Sequence, residues 1–194
     1  MSQVTMASDW QVSEWFNAKA PLHLAQLRGQ VVLLHAFQML CPGCVSHAVP
    51  QAERVHREYA REGVTVIGLH TVFEHHAAMT PVALEAFLHE YRITHPVGVD
   101  LAGAGEPLPL TMRRYGMQGT PTLLLIDRAG RLRLHEFGRI DDLRLGVLLG
   151  RLITEDVTVE TGAATPAQDN PDALQGGCNE HTCAPVKAAG RPAT

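Results

Sequence analysis

The residues best suited to chemistry are four cysteines in two close pairs, Cys41/Cys44 and Cys178/Cys183. Four cysteines are too few to staple a chain of 194 residues, and their grouping points to redox or metal chemistry. The first pair forms the tetrapeptide Cys41-Pro42-Gly43-Cys44, set between an apolar run and a segment with helical spacing. At such a junction the first cysteine meets unpaired backbone N–H groups and the positive end of a helix dipole. Both favour the thiolate, and such settings bring a cysteine pKa down to roughly 3.5–7.5. Cys41 is then the expected nucleophile on a target disulfide. The two-residue gap lets Cys44 reach the Cys41 sulfur within one turn and resolve the mixed disulfide. A zinc ribbon would need a second C-x-x-C or a His pair, and the tail pair is C-x-x-x-x-C.

The segment Cys178-Asn179-Glu180-His181-Thr182-Cys183 admits three readings: a second dithiol exchanging with Cys41/Cys44, a soft-metal site using Cys178, His181 and Cys183, or an inert pair. A flexible segment from Glu155 to Cys178 spans roughly 26 Å. A core of this size has a gyration radius of about 15 Å, so the tail reaches its own active site. His70, His75 and His76 read as a polar strand end and loop, because no carboxylate or thiolate spacing supports a metal there; no metal is expected.

The elements that must hold this chemistry follow from periodicity. Val31 to Phe37 is nearly continuous apolar sequence, the mark of a strand buried on both faces. Cys44 to Glu62 has helical spacing with Val45, Val49, Val55 and Tyr59 inward, a kink at Pro50 and a stop at Gly63. Val64 to Leu69 is a second buried strand, Pro81 to Tyr91 a helix, Val97 to Val99 a short strand and Pro107 to Tyr115 a helical turn or short helix. Thr122 to Ile126 and Leu132 to Phe137 flank the turn Asp127-Arg128-Ala129-Gly130 as a hairpin, and Asp141 to Ile153 closes as an amphipathic helix. At the front, Ser8 is expected to cap a short helix through Asn17, and Ala20 to Gln30 to be extended. The order β-α-β-α-β-β-α, with one long insertion before the hairpin, predicts an α/β fold with a mixed central sheet and helices on both faces. Residues 1–153 form that domain. Residues 154–194 lose periodicity and read as a flexible Ala/Gly/Pro-rich tail.

Composition narrows the function. Net charge is −4, only 5% of residues are aromatic and no basic cluster is present, so no nucleic-acid partner is expected. No run of about 18 apolar residues occurs, so no membrane span is expected either. Met1 to Trp10 has neither basic flank nor apolar core, which predicts a cytoplasmic protein.

The stretch Leu27-Arg28-Gly29-Gln30-Val31-Val32-Leu33-Leu34-His35-Ala36-Phe37 followed by Cys41-Pro42-Gly43-Cys44, the strand Val66-Ile67-Gly68-Leu69-His70-Thr71 and the loop Gly119-Thr120-Pro121-Thr122 together resemble thioredoxin-fold redoxins of the TlpA/ResA group, related to AhpC/TSA proteins and with DipZ-like features. The likeness runs from about Trp10 to Ile153. It implies a thioredoxin fold and thiol–disulfide exchange without a cofactor, the electrons coming from another dithiol protein. Substrates would be disulfide-containing proteins or small thiols, and in the cytoplasm the direction would be reduction. Pro121 would be cis beside the sulfurs, leaving the Thr120 backbone to pair with a bound strand, with Pro42 and Gly43 completing the substrate surface. His35 would lie beneath the cysteines, either taking the Cys44 proton or bonding to backbone as a core histidine, and Glu74 near an acid of ResA-like proteins. Leu40 replaces the usual Trp. A peroxidase is a weaker reading, because Gln38 and not Thr stands three residues before Cys41. The alternatives from other classes are a soft-metal delivery module built on the tail and a redox-gated binding protein.

Overall fold

A computed structural model of the chain describes residues 5–155, 177–178 and 180–185. The centre is a six-stranded sheet in the order β1-β4-β3-β2-β5-β6. Its inner strands are β2 (Val31–Phe37), β3 (Val64–His70) and β5 (Thr122–Ile126); β4 (Val97–Asp100) and β6 (Leu132–Phe137) flank them, and β1 (Val12–Phe16) forms one edge. β2, β3 and β4 run parallel, while β5 is antiparallel to β2, β6 to β5 and β1 to β4. Every residue of β2 and β5 is buried, as continuous apolar runs require when both faces are covered.

Alternate residues of the inner strands feed two cores. Val32, Leu34, Ile67, Leu124 and Ile126 pack with Trp10, Leu24 and with Met112 of α3 (Leu110–Arg114) on one face. Leu33, Val66, Leu123 and Leu125 pack on the other with Ala52 and Val55 of α1 (Val49–Tyr59) and Leu145, Leu149 and Leu152 of α4 (Asp142–Thr154). α2 (Pro81–Glu90) lays Leu84 and Leu88 over the end of the sheet that carries Phe37, Cys41 and Cys44. Local signals start these helices. Asp141 accepts from the N–H groups of Leu143 and Arg144, and Thr80 accepts from Ala83 ahead of Pro81.

The front of the chain departs from the expected helix over Ser8 to Asn17: it is strand β1. A register shift between Val12 and Glu14 makes a bulge, which sets Val12 and Trp15 over the same Gly98. Two apolar residues three apart on one face of a bulged strand imitate helical spacing. Ser8 does not cap; its carbonyl accepts from the Tyr115 hydroxyl. The lead-in expected to be extended contains a 3-10 turn over Leu24–Leu27, whereas the segment 107–115 holds the expected short helix, over Leu110–Arg114. The helix expected over 44–62 is continuous but not uniform. It opens with a widened π turn, Cys44–Ala48, just ahead of Pro50, which has no N–H to give the tighter ladder, and it ends in a 3-10 turn, Ala60–Glu62, stopped by Gly63 at φ 80°. No helix among the described residues is long and apolar enough to cross a membrane.

The tail also differs in part from a featureless segment. Most of 154–194 lies outside the described residues, but β7 (Gly177–Cys178) and β8 (Cys183–Ala184) form a small antiparallel hairpin with Cys178 opposite Cys183. An isolated bridge pairs Cys183 with Thr120.

Candidate active site

β2 ends at Phe37, and the chain crosses Gln38 to Leu40 before helical geometry begins at Pro42. Cys41 therefore stands at the cap of the helix. Its carbonyl accepts from Val45 N–H at 3.1 Å, and its sulfur accepts from Cys44 N–H at 3.3 Å. A serine or aspartate oxygen would make the same bond at an ordinary cap. Pro42 occupies the first helical position, where a missing N–H costs nothing. On its other side the Cys41 thiol donates to the Thr120 carbonyl at 3.6 Å.

The two sulfurs are electrostatically unequal. A hydrogen bond from the Cys44 thiol draws the Cys41 pKa from 9.0 to about 7 against the opposing effect of burial, helped by the N–H groups of Cys44 and Gly43. Burial pushes the Cys44 thiol well up, and the neighbouring Cys41 pushes it further. Cys41 is thus poised as thiolate and Cys44 as the protonated partner that donates to it. The expected stabilisation by backbone N–H groups is present, but the partner thiol contributes more.

Thr120 and Pro121 close the other side. Their peptide bond is cis, and both residues are buried. The Thr120 backbone pairs with the tail. Its N–H donates to the Cys183 carbonyl at 2.6 Å, and its carbonyl accepts from the Cys183 N–H at 2.5 Å. Cys183 is fully buried and packs in one cluster with Cys41, Cys44 and Phe37. A Cβ on Gly43 would fall 1.6 Å from the His181 carbonyl, and one on Gly119 2.0 Å from the Cys183 carbonyl. Both glycines are therefore required for the tail to lie this close.

A family model for the AhpC/TSA family matches residues 5–135. The chain belongs to the AhpC/TSA family. Two curated relatives are protein DipZ of Mycobacterium tuberculosis, 29% identical over 132 residues, and the thiol-disulfide oxidoreductase ResA of Halalkalibacterium halodurans, 24% identical over 123 residues. The matches cover 67% and 63% of this chain but only 18% and 62% of those relatives. Among solved structures, a thioredoxin-like superfamily protein is 53% identical with a TM-score of 0.76, covering 78% of this chain and 98% of that one. A thiol-disulfide isomerase from Corynebacterium glutamicum is 48% identical with a TM-score of 0.75, covering 79% and 98%. The fold is thioredoxin-like, in the α/β class expected.

Around the sulfurs of this AhpC/TSA-family chain, the remaining expected residues fall in distinct places. Glu74 accepts from Gln38 Nε2 at 3.2 Å, so it meets the Cys41 loop through Gln38. Gln38 itself is buried, gives its side-chain oxygen to Phe73 N–H at 3.3 Å and its carbonyl to Cys41 N–H at 3.2 Å. His35 is a buried histidine whose Nε2 shares a 2.9 Å hydrogen bond with Nε2 of His95. His95 Nδ1 continues to Glu53 at 2.8 Å, and Thr94 adds two more bonds to the same carboxylate. Neither sequence reading of His35 foresaw this partner. Burial holds the His35 ring well below its usual pKa, so it is neutral. Leu40 is exposed beside Cys41.

Gln38, Glu53 and His95 were missed by sequence reasoning. Glu53 left a signal, since it stands four residues after Val49 on the inward face of α1. His95 left none, because its partners come from another strand and a helix. His70 is fully buried, with burial taking its pKa to about 4, while His75 and His76 are exposed on the following loop. Among the described residues, no group of three His, Cys, Asp or Glu is arranged to hold a metal.

Proposed function

We propose that this protein is a thiol–disulfide oxidoreductase. Cys41 attacks a substrate disulfide, Cys44 resolves the mixed disulfide, and the Thr120 backbone pairs with the substrate strand, with Pro121, Pro42 and Gly43 framing it. The names of the ResA relative and the Corynebacterium glutamicum isomerase support the reaction class. The observation that carries it is the Cys41 sulfur at a helix cap, at a pKa of about 7, with a protonated Cys44 donating to it. Electron balance is internal. The substrate disulfide takes two electrons from the dithiol, and the Cys41–Cys44 disulfide is the product.

The direction we propose is reduction of protein or small-molecule disulfides in a reducing compartment such as the cytoplasm, with another dithiol protein restoring Cys41 and Cys44. A nucleophile at about 7 supports this, since strongly oxidising relatives of the fold reach roughly 3.5 and thioredoxin stays near ~7. In the competing soft-metal reading the tail supplies thiolate ligands. Cys183 is disulfide-bonded, so its sulfur is not a thiolate, and the His181 side chain is 61% exposed.

The test is dithiothreitol-driven reduction of insulin. The intact protein accelerates it, and Cys41→Ser abolishes the acceleration. Retained acceleration in Cys41→Ser overturns the assignment.

A further inference from the structure

We propose that the C-terminal hairpin is a tethered substrate of the site, its disulfide exchanging directly with Cys41 and Cys44. This deepens the oxidoreductase reading and rests on it.

Four independent features of the geometry carry the proposal. First, β8 makes the two backbone hydrogen bonds with Thr120 that an incoming substrate strand is expected to make, in antiparallel sense. Second, the residue at that bridge is a cysteine, fully buried in one apolar cluster with Cys41 and Cys44. A strand that merely covered the site would need no sulfur at that register. Third, the tail backbone passes so near Gly43 and Gly119 that any Cβ there would collide with it, so the close fit involves both loops of the site. Fourth, the redox states are complementary. Cys41 and Cys44 are free thiols and Cys183 is in a disulfide. Of the four cysteines only Cys178 remains, and the hairpin register sets it directly opposite Cys183.

The exchange balances without an outside reagent. The Cys41 thiolate attacks the Cys183 sulfur, forming the Cys41–Cys183 bond and expelling Cys178 as thiolate. Cys44 then gives up its proton and attacks the Cys41 sulfur, breaking that bond and releasing Cys183 as thiolate. The products are a Cys41–Cys44 disulfide and a Cys178/Cys183 dithiol, with two electrons moved and the protons of the first dithiol passed to the second. Cys41 is wholly buried in one cluster with Cys183, so in this state the tail disulfide is the first that the Cys41 thiolate meets.

The experiment uses the full chain carrying Cys44→Ser, which stops the reaction after its first step. The protein is alkylated with iodoacetamide, digested without reduction and mapped by mass spectrometry. The expected result is a Cys41–Cys183 cross-link with Cys178 alkylated. An intact Cys178–Cys183 disulfide with Cys41 alkylated overturns the proposal. A second measurement does not depend on that variant. Reduction of the tail disulfide by dithiothreitol should slow by at least about tenfold in Cys41→Ser, because the reagent must then reach a buried sulfur unaided; an unchanged rate overturns the proposal. Insulin reduction by the intact protein separates the two claims. If insulin is reduced while no cross-link forms, the tethered-substrate proposal fails and the oxidoreductase reading stands. If insulin is not reduced, the oxidoreductase reading falls and the proposal falls with it.

Discussion

The Cys44 amide points at the Cys41 sulfur from 3.3 Å, so the residue proposed to resolve the mixed disulfide also holds its partner's charge. One residue thereby does two things. Its N–H and its thiol stabilise the Cys41 thiolate, and its own burial keeps that thiol protonated.

The first prediction concerns reactivity against pH. Only the thiolate is alkylated, so the rate at Cys41 should fall tenfold per pH unit below a midpoint of about 7 and level off above it. In Cys44→Ala the largest stabilising hydrogen bond is lost, and the midpoint should move up toward 9.0. Iodoacetamide kinetics with peptide mapping at Cys41 measure both. An unmoved midpoint in Cys44→Ala would contradict the role given to the partner thiol.

Gln38 ties three segments together: the Cys41 loop, the Phe73 backbone and Glu74. Replacing it with Leu keeps the bulk but leaves the half-buried Phe73 N–H without its acceptor, at a cost of up to about 1–3 kcal/mol. Thermal unfolding should show that loss. The Cys41 alkylation midpoint should stay near its wild-type value, because the Gln38 side chain makes no bond to either sulfur. A large shift of that midpoint would reveal a direct electrostatic role.

Glu53 accepts from His95 and from Thr94. Burial opposes its ionisation, but these hydrogen bonds outweigh burial and bring the carboxyl from 4.5 to about 2. A folded-state value below the unfolded one means that the stabilisation is complete above pH 4.5 and lost as pH falls toward 2. Glu53→Gln should lower stability at pH 7 and flatten the acid limb of the stability curve. Urea denaturation at a series of pH values tests this; parallel curves for the two proteins would contradict it.

Leu149 of α4 is fully buried against the sheet face opposite Trp10 and Met112. Leu149→Ala should cost about 2–5 kcal/mol through lost burial and a residual cavity. Insulin reduction per folded molecule should be unchanged at a temperature where the variant remains folded. A specific loss of turnover would show that α4 does more than support the sheet.

Leu40 stands where the resembled redoxins carry Trp, and it is half exposed beside the nucleophile. Leu40→Ala should raise KM for insulin several-fold, with little effect on a small disulfide such as oxidised glutathione, because only the protein substrate spans that surface. Equal effects on both substrates would point to a disturbed Cys41 loop.

Local chemistry and period carried much of the reading. The unbroken apolar runs of β2, β3 and β5 announce strands covered on both faces, and Cys41-Pro42-Gly43-Cys44 announces its chemistry at the junction that follows. The hairpin and the caps of α2 and α4 are equally local, since turn residues and side-chain oxygens act within a few positions of themselves. Three features were decided only in three dimensions. β1 is a strand because a bulge and the edge of β4 bring Val12 and Trp15 to one face, which no isolated segment reveals. The chain Glu53–His95–His35 joins a helix, the bend ahead of β4 and a strand from distant parts of the sequence, so its hydrogen bonds exist only once the sheet has closed. The tail cysteine gains its place the same way: Cys183 meets the Thr120 backbone, on which the tethered-substrate proposal rests, only because folding brings two segments far apart in sequence together.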